Sequence, residues 1–311
     1  MNNNNKITLC FLVFFLFFTA AVFAKQPDEK SPISLPELSR MQFDGRDIQI
    51  KEVLSRQKNY TRYLITYKSG DLTVSGIMNL PKGEGPFPVL ILCHGYIDPK
   101  YYTVGRGLKR EQDYFANGGY IVIHPDYRNH GLSDKDPQST DHFRLGYVED
   151  VINAVYAVRS SDKKYFDKKN IGMLGHSLGG GIALNIAVTK PDLVKAIVLY
   201  APVSADYRDN YNKWGRARNP ELAEEKDWKF WDELSAINYV KNINAPILLQ
   251  HGVLDESCDV KWSDRLAKAL KDEGKNIVYN RYPVEKHEFI RDWPVFMKRN
   301  VEFFDKYLKA N

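Results

Sequence analysis

Cysteine is scarce in this chain, with three residues among 311. No C-x-x-C, H-E-x-x-H or similar spacing of metal-binding residues occurs, so the sequence predicts no metal centre and no cofactor. Cys10 lies in the apolar N-terminal segment, whereas Cys93 and Cys258 fall in distant parts of a predicted sheet. We therefore expect Cys93 and Cys258 to be free thiols, even in a compartment where disulfides form.

The chain also lacks a concentration of charge of one sign. It has 44 Lys and Arg against 39 Asp and Glu, a formal net charge of +5, and the two signs are interspersed. Because a nucleic-acid-binding face requires a basic stripe, we expect no nucleic acid partner. Hydrophobic residues make up 43% of the chain, which is enough for the core of one large domain.

The only long apolar run is N-terminal. Lys6 precedes apolar residues 7–18, and compact residues at Val22 and Ala24 favour cleavage after Ala24. We predict a signal peptide over residues 1–24, and a secreted or periplasmic protein with no stable membrane partner after its removal. The alternative is an uncleaved membrane anchor, because the run approaches the about 20 residues that span a bilayer. The N-terminal sequence of the mature protein distinguishes the two.

The rest of the chain divides into an arm and one domain. Residues 25–45 contain three prolines among polar residues and are predicted to be a linker or extended arm. Within the domain, residues 46–311, the stretch 47–80 has the β-branched and aromatic pattern of antiparallel strands. Beyond it, short apolar runs alternate with helical segments. This pattern predicts an α/β fold with a mostly parallel, eight-stranded sheet covered by helices on both faces.

Residues 203–245 interrupt this alternation. They contain no clear strand and are rich in aromatic residues, including Trp214 and Trp231. An insertion at this point of an α/β fold lies above the carboxyl edge of the sheet, where binding sites form. We predict a lid in which Trp214 and Trp231 contact the substrate. The alternative is a surface subdomain whose tryptophans pack on the body.

One pentapeptide, Gly175-His176-Ser177-Leu178-Gly179, has the pattern G-x-S-x-G. A short apolar run typical of a strand precedes it, and a glycine-rich helical segment follows. A serine on such a sharp strand-to-helix turn has a strained backbone and an exposed hydroxyl, and glycines two residues to either side relieve the clash. The pattern predicts that Ser177 is a catalytic nucleophile.

A serine hydroxyl requires a base and an acid that orients the base. His287 follows the last predicted strand, in a loop that returns to the same edge of the sheet as the serine. Asp255 follows the preceding strand and lies between serine and histidine in chain order. We predict His287 as the base and Asp255 as the acid. Asp259 and Asp264 are the rivals, and Asp259 could equally cap a helix.

The negative charge that develops in an acyl-transfer reaction needs backbone donors. We predict the N–H of Leu178, directly after the nucleophile, and the N–H of Tyr96, in the loop after the first parallel strand. The Tyr96 phenol is also a candidate substrate contact. Asp126 and Arg128 lie in a polar loop at the same edge, and we interpret them as partners that fix loops, because buried charges require pairing.

These residues together resemble the α/β-hydrolase superfamily, and most of all the catalytic domain of the prolyl oligopeptidase group, serine peptidase family S9. The resemblance covers about Tyr67 to Leu308. It implies Ser177 as nucleophile, Asp255 as orienting acid and His287 as base. The matching segments are His94-Gly95, Asp126-Tyr127-Arg128 with His130-Gly131, Ile171-Gly172 with the pentapeptide and Gly180, His251-Gly252 with Asp255, and Lys286-His287.

The predicted function is an exported serine hydrolase that cleaves a peptide or ester bond of a small molecule or short peptide through an acyl-enzyme. Large members of the family place a β-propeller before this domain, whereas roughly forty to sixty residues occupy that place here, too few for its blades. A carboxylesterase or other acyl hydrolase is therefore an alternative. A non-catalytic binding protein on the same fold is a second alternative, because a fold does not determine an activity.

Overall fold

The structure is a computed structural model that describes residues 34–139, 143–217, 220–221 and 226–309. The predicted signal peptide, residues 1–24, lies outside the described residues and stays a prediction. Within the described ranges, none of the helices has both the length and the apolar composition needed to cross a bilayer. Cys93 and Cys258 are buried and free, as predicted.

A single mixed sheet forms the centre of the described chain. Its strands follow the order β1-β2-β3-β5-β4-β6-β7-β8-β9. Pairs are antiparallel from β1 through β3 to β5, and parallel from β5 to β9. The mostly parallel α/β architecture is therefore confirmed. The strands are β1 (Arg46–Arg56), β2 (Tyr60–Ser69), β3 (Leu72–Pro81), β4 (Phe87–Cys93), β5 (Ile121–Pro125), β6 (Phe166–His176), β7 (Ala196–Tyr200), β8 (Ile247–Gly252) and β9 (Ile277–Tyr282).

The prediction of eight strands is wrong, because nine are present among the described residues. Only the count was too low, because β1 lies at the start of the stretch 47–80 for which antiparallel strands were predicted. It is an edge strand most of whose side chains are exposed, and its register with β2 shifts three times. Backbone hydrogen bonds to β2 stabilise such a strand without burial of its side chains, so hydrophobic patterning indicates strands in this stretch but does not fix their number.

Helices cover both faces of the sheet, as predicted. In β4, Val89 and Ile91 face the core beneath the helices Leu145–Ser160 and Leu178–Thr189. Leu90 and Leu92 face the core beneath the helices Lys109–Asn117 and Trp293–Leu308. The α-helices are α1 (Leu35–Arg40), α2 (Lys109–Asn117), α3 (Leu145–Ser160), α4 (Leu178–Thr189), α5 (Tyr207–Asn210), α6 (Trp228–Leu234), α7 (Val260–Asp272) and α8 (Trp293–Leu308). Short 3₁₀ segments occupy Pro99–Tyr101 and Ala236–Asn242, and a π-helical turn occupies Tyr211–Gly215.

Part of the predicted arm is folded onto the domain. Residues 25–33 lie outside the described residues, but Leu35–Arg40 form α1, capped by Ser34. Leu35 and Leu38 are buried in the same core as α3 and α4, and the Lys190 ammonium donates hydrogen bonds to the carbonyls of Ser39 and Met41. The prediction of a linker or arm is therefore wrong for this helix, because two leucines spaced three apart find apolar partners on the domain.

The insertion, residues 203–245, contains α5, the π-helical turn, α6 and a 3₁₀ segment. Helix α6 begins at Trp228, where the Asp227 carboxylate caps it by accepting from the N–H of Phe230. Residues 222–225 lie outside the described residues. The role of this insertion as a lid stays a prediction.

Acid should destabilise the fold through His124, which lies buried in β5. Burial lowers the pKa of His124 to about 4, against about 6.5 in an unfolded chain. Stability from its neutral form is complete above pH 6.5 and is lost as the pH falls through 4, by about 3 kcal/mol. We expect His124→Leu to remove that dependence. Urea unfolding of both proteins between pH 7.5 and 4 gives the free energy of unfolding at each pH. If the wild type and His124→Leu lose the same amount of stability over this range, the prediction is contradicted.

Candidate active site

The predicted turn at Ser177 joins β6 to α4 directly, with His176 the last strand residue and Leu178 the first helical one. Ser177 has φ +56° and ψ −119°, a conformation that a non-glycine residue adopts only when its surroundings impose it. Backbone hydrogen bonds impose it here. The Ser177 N–H donates to the carbonyl of Tyr200 at 3.0 Å, and the Ser177 carbonyl accepts from Gly180 at 2.9 Å.

Glycine is required on both sides of this turn. A Cβ on Gly175 would lie 2.1 Å from the carbonyl oxygen of Gly179, and a Cβ on Gly179 would lie 2.0 Å from that of Cys93. Both gaps are far shorter than any van der Waals contact. The two glycines of the pentapeptide therefore let helix α4 start against the ends of β4 and β6, which is what exposes residue 177 at the sheet edge.

Asp255 and His287 meet at the same edge. The loops after β8 and β9 approach so closely that a Cβ on Gly252 would lie 2.4 Å from the carbonyl oxygens of Glu285 and Lys286. The His287 Nδ1–H donates to Asp255 Oδ2 at 2.8 Å. The structure thus brings together two of the residues selected from the sequence. Asp259, the rival acid, instead caps α7 by accepting from the N–H of Lys261.

The Asp255 carboxylate is buried and fully hydrogen-bonded. Its Oδ2 also accepts from His251 Nε2 at 3.1 Å, and its Oδ1 accepts from the N–H groups of Ser257 and Cys258, both at 2.8 Å. Burial by itself raises the pKa of Asp255, but the hydrogen bonds from His251 and His287 outweigh burial and hold it well below its usual range. The carboxylate is therefore ionised at neutral pH and acts only as an acceptor.

His287 lies beside the serine turn. Its ring centroid is 4.7 Å from that of His176, and the His176 Nε2–H donates to the His287 carbonyl at 3.1 Å. Burial, followed by the proximity of His287, lowers the pKa of His176 to about 3, so His176 stays neutral and holds the His287 loop against the turn.

The serine hydroxyl itself is not yet engaged by the base. Ser177 makes no hydrogen bond to His287 in the described chain, and His287 Nε2 has no protein partner there. In unliganded sites such a bond is often long and tightens when substrate binds. The Ser177 side chain instead lies near the Cys258 thiol. Burial, followed by the charge of Asp255, raises the pKa of that thiol to about 12, and the serine hydroxyl opposes the rise. No sequence motif indicated Cys258 at this position.

The predicted oxyanion donors flank the serine. Leu178 is the first residue of α4, so its N–H has no acceptor within the helix. Tyr96 follows Gly95, where a Cβ would lie 3.1 Å from Ser177 Cβ. The Tyr96 N–H donates to no acceptor in the described ranges. Both amides are therefore available to a ligand atom near Ser177.

Asp126 and Arg128 fix loops, as the sequence interpretation proposed. Asp126 accepts from the Ser75 hydroxyl at 2.6 Å, the Tyr102 hydroxyl at 2.7 Å and the Gly105 N–H at 2.8 Å. Arg128 forms ion pairs with three carboxylates at 2.9 to 3.0 Å, those of Asp136, Glu149 and Asp150. Both side chains hold the loop after β5 in place.

A cavity of about 220 Å³ borders the serine turn through Leu178. Apolar side chains form most of its wall, and Trp214 from the insertion lines it. Trp231 lines a different cavity, of about 240 Å³. Its buried ring packs on Tyr211, with the ring centroids 4.7 Å apart. Of the three predicted substrate contacts, Tyr96, Trp214 and Trp231, only Trp214 thus lines the same cavity as Leu178. Phe143 and Arg144 also line it, and no sequence pattern indicated either of them.

This fold and site define the chain as an α/β-hydrolase. Residues 107–311 match the family model of the prolyl oligopeptidase family, peptidase family S9. The chain belongs to that family, whose members are serine hydrolases, and the resemblance predicted from the sequence is confirmed.

Individual relatives include both peptidases and esterases. The chain is 27% identical to the uncharacterized peptidase YuxL of Bacillus subtilis (strain 168) over 73% of its own length and 35% of that protein. An acylaminoacyl peptidase of Pyrococcus horikoshii superposes with a TM-score of 0.66 at 25% identity, covering 82% of this chain and 42% of that one. Acetyl xylan esterase 1 from Thermoanaerobacterium sp. JW/SL YS485 superposes with a TM-score of 0.67 at 19% identity, covering 88% and 90%.

The chain spans about a third of the length of the curated relatives it matches first, at 35 to 36% of each. At 19% identity, the likeness to the xylan esterase concerns the fold alone.

Proposed function

We propose that this protein hydrolyses an ester or peptide bond through a covalent acyl-enzyme on Ser177. The observation that carries the proposal is the hydrogen bond between His287 and the ionised Asp255, formed beside a serine held at φ +56°. A serine, a base and an acid that fixes the base are the components that acyl transfer requires.

In the proposed reaction, Ser177 Oγ attacks the substrate carbonyl carbon while His287 Nε2 takes the hydroxyl proton. Asp255 keeps the other imidazole proton on Nδ1, which leaves Nε2 free to accept. The carbonyl oxygen becomes an oxyanion and receives hydrogen bonds from the N–H groups of Leu178 and Tyr96. The tetrahedral species then expels the alcohol or amine, which takes the proton from His287. Water deprotonated by His287 releases the acid and restores Ser177.

The cavity beside Leu178 favours a small acyl group. Its volume of about 220 Å³ is below the roughly 300 to 1,000 Å³ of pockets that enclose drug-sized ligands. Short-chain esters and substrates with one small residue on the acyl side therefore fit the proposal best. Turnover of short-chain nitrophenyl esters, compared with aminoacyl nitroanilides, distinguishes esterase from peptidase action.

A fluorophosphonate probe tests the proposal directly. Attack by an activated serine forms an oxygen–phosphorus bond and releases fluoride, so we expect wild-type protein to be labelled and Ser177→Ala to remain unlabelled. Circular dichroism verifies that both proteins are folded. Folded wild-type protein that stays unlabelled would overturn the proposal and favour a non-catalytic binding protein on the same fold.

A further inference from the structure

Arg144 stands at the wall of the cavity next to the proposed oxyanion site. It borders the same cavity as Leu178, and its guanidinium carbon lies 4.9 Å from the centre of the Tyr96 ring. Tyr96 is the residue whose N–H we assign to the oxyanion. A cation therefore lines the cavity that Leu178 also lines, and it lies against the side chain of the second proposed oxyanion residue.

The backbone places this cation at a conformational cost. Arg144 has φ +59° and ψ +21°, and the preceding Phe143 has φ +52°. The left-handed region is unfavourable for non-glycine residues, and here two consecutive residues adopt it. The Arg144 N–H donates to the carbonyl of Ser139 at 2.9 Å and holds the turn. Such strain concentrates at functional sites, where it orients side chains.

Arg144 also lacks a counter-ion. In the described ranges its guanidinium forms no ion pair and no side-chain hydrogen bond. The contrast with Arg128 is direct, since Arg128 pairs with three carboxylates. The charge of Arg144 acts on two neighbouring phenols. Burial raises the pKa of Tyr147 and of Tyr207, and the positive charge of Arg144 offsets part of that rise in both. Among the described residues, no side chain or carbonyl thus accepts from this guanidinium.

We infer that Arg144 binds a carboxylate carried by the acyl part of the substrate, so that the preferred substrate is an ester or amide of a short dicarboxylic acid or an acidic residue. A guanidinium presents a planar pair of N–H donors that matches a carboxylate, and its weaker hydration suits a partly buried site. This inference rests on the proposed function, because Ser177, Leu178 and Tyr96 define where the carbonyl lies.

The test uses two methyl esters of the same shape. Monomethyl glutarate carries a carboxylate at the end of its acyl chain, and methyl 4-carbamoylbutanoate carries a neutral amide there. We expect wild-type protein to have the higher kcat/KM on monomethyl glutarate. Arg144→Gln should lower that kcat/KM by about tenfold or more, the usual effect of losing a hydrogen bond to a charged group, and should lower the value for the amide much less, so that the preference for the anionic ester is lost. Arg144→Lys retains the positive charge but not the planar pair of N–H donors, so its kcat/KM on monomethyl glutarate should lie between those of the wild type and Arg144→Gln.

Arg110→Gln is the matched control. Arg110 also stacks on an aromatic ring, 5.0 Å from the centre of Trp293, but it does not line the cavity beside Leu178. We expect this variant to retain the wild-type preference between the two esters. Circular dichroism verifies the fold of each variant.

A second measurement separates this inference from the proposed function. Glutarate should slow fluorophosphonate labelling of wild-type protein and not of Arg144→Gln. Two results would overturn the carboxylate site and leave the serine hydrolase proposal intact, provided that the probe labels Ser177. In the first, the wild type has the same kcat/KM on both esters. In the second, Arg144→Gln lowers kcat/KM equally on both. If the probe labels nothing, the proposed function fails first, and this inference with it.

Discussion

Ser177→Ala should lower kcat on a short-chain ester by at least about four orders of magnitude, since removing the nucleophile of such a site leaves only what the oxyanion donors and binding provide. The fold should survive. The backbone N–H and carbonyl of residue 177 hold the turn through Tyr200 and Gly180, and alanine retains both. The hydroxyl makes no hydrogen bond that closes the turn. Steady-state kinetics measures the loss, and thermal unfolding by circular dichroism verifies the fold.

Ser257→Ala is the matched serine control. Ser257 lies in the Asp255 loop, is exposed, and uses its backbone N–H rather than its hydroxyl to bind Asp255. We expect near wild-type turnover from it. A Ser177→Ala enzyme that stays within tenfold of wild type would show that another group is the nucleophile.

Asp255→Asn should lower kcat by about four orders of magnitude, because it forces the wrong imidazole tautomer. The amide oxygen must face the N–H groups of Ser257 and Cys258, both 2.8 Å from Oδ1, so the amide NH₂ faces His287. His287 Nδ1 then has to accept, and its proton moves to Nε2. A protonated Nε2 has no lone pair with which to take the proton of Ser177.

The opposite orientation of the asparagine amide is also unfavourable. It would direct two N–H donors at the backbone N–H groups of Ser257 and Cys258 and leave the buried N–H of Cys258 unsatisfied, at a cost of about 1–3 kcal/mol. Asp259→Asn is the control, because an asparagine caps a helix about as well as an aspartate, and we expect near wild-type kcat. If Asp255→Asn retains full turnover while Asp259→Asn loses it, the acid is misassigned.

The sequence was sufficient for the fold class and for the strand-to-helix turn because both depend on local patterns. Buried parallel strands require continuous apolar runs, such as residues 89–93. The turn requires Gly175 and Gly179, whose added Cβ atoms would lie about 2 Å from backbone atoms. The helix Leu35–Arg40 was missed, because it has no extended hydrophobic pattern and is stabilised by contacts with distant segments.

By itself, the sequence determined where the chain turns, which residues are buried in the sheet, and which serine, aspartate and histidine stand at strand ends. Only the tertiary structure decided which of those groups touch: that Asp255 accepts from both His287 and His251, that Cys258 lies beside Ser177, and that Arg144 lines the cavity with no ion pair among the described residues. The reason is physical. Strand ends follow from local composition and period, whereas the contacts between loops depend on side-chain direction and on backbone conformations, such as the left-handed Arg144, that no local pattern specifies.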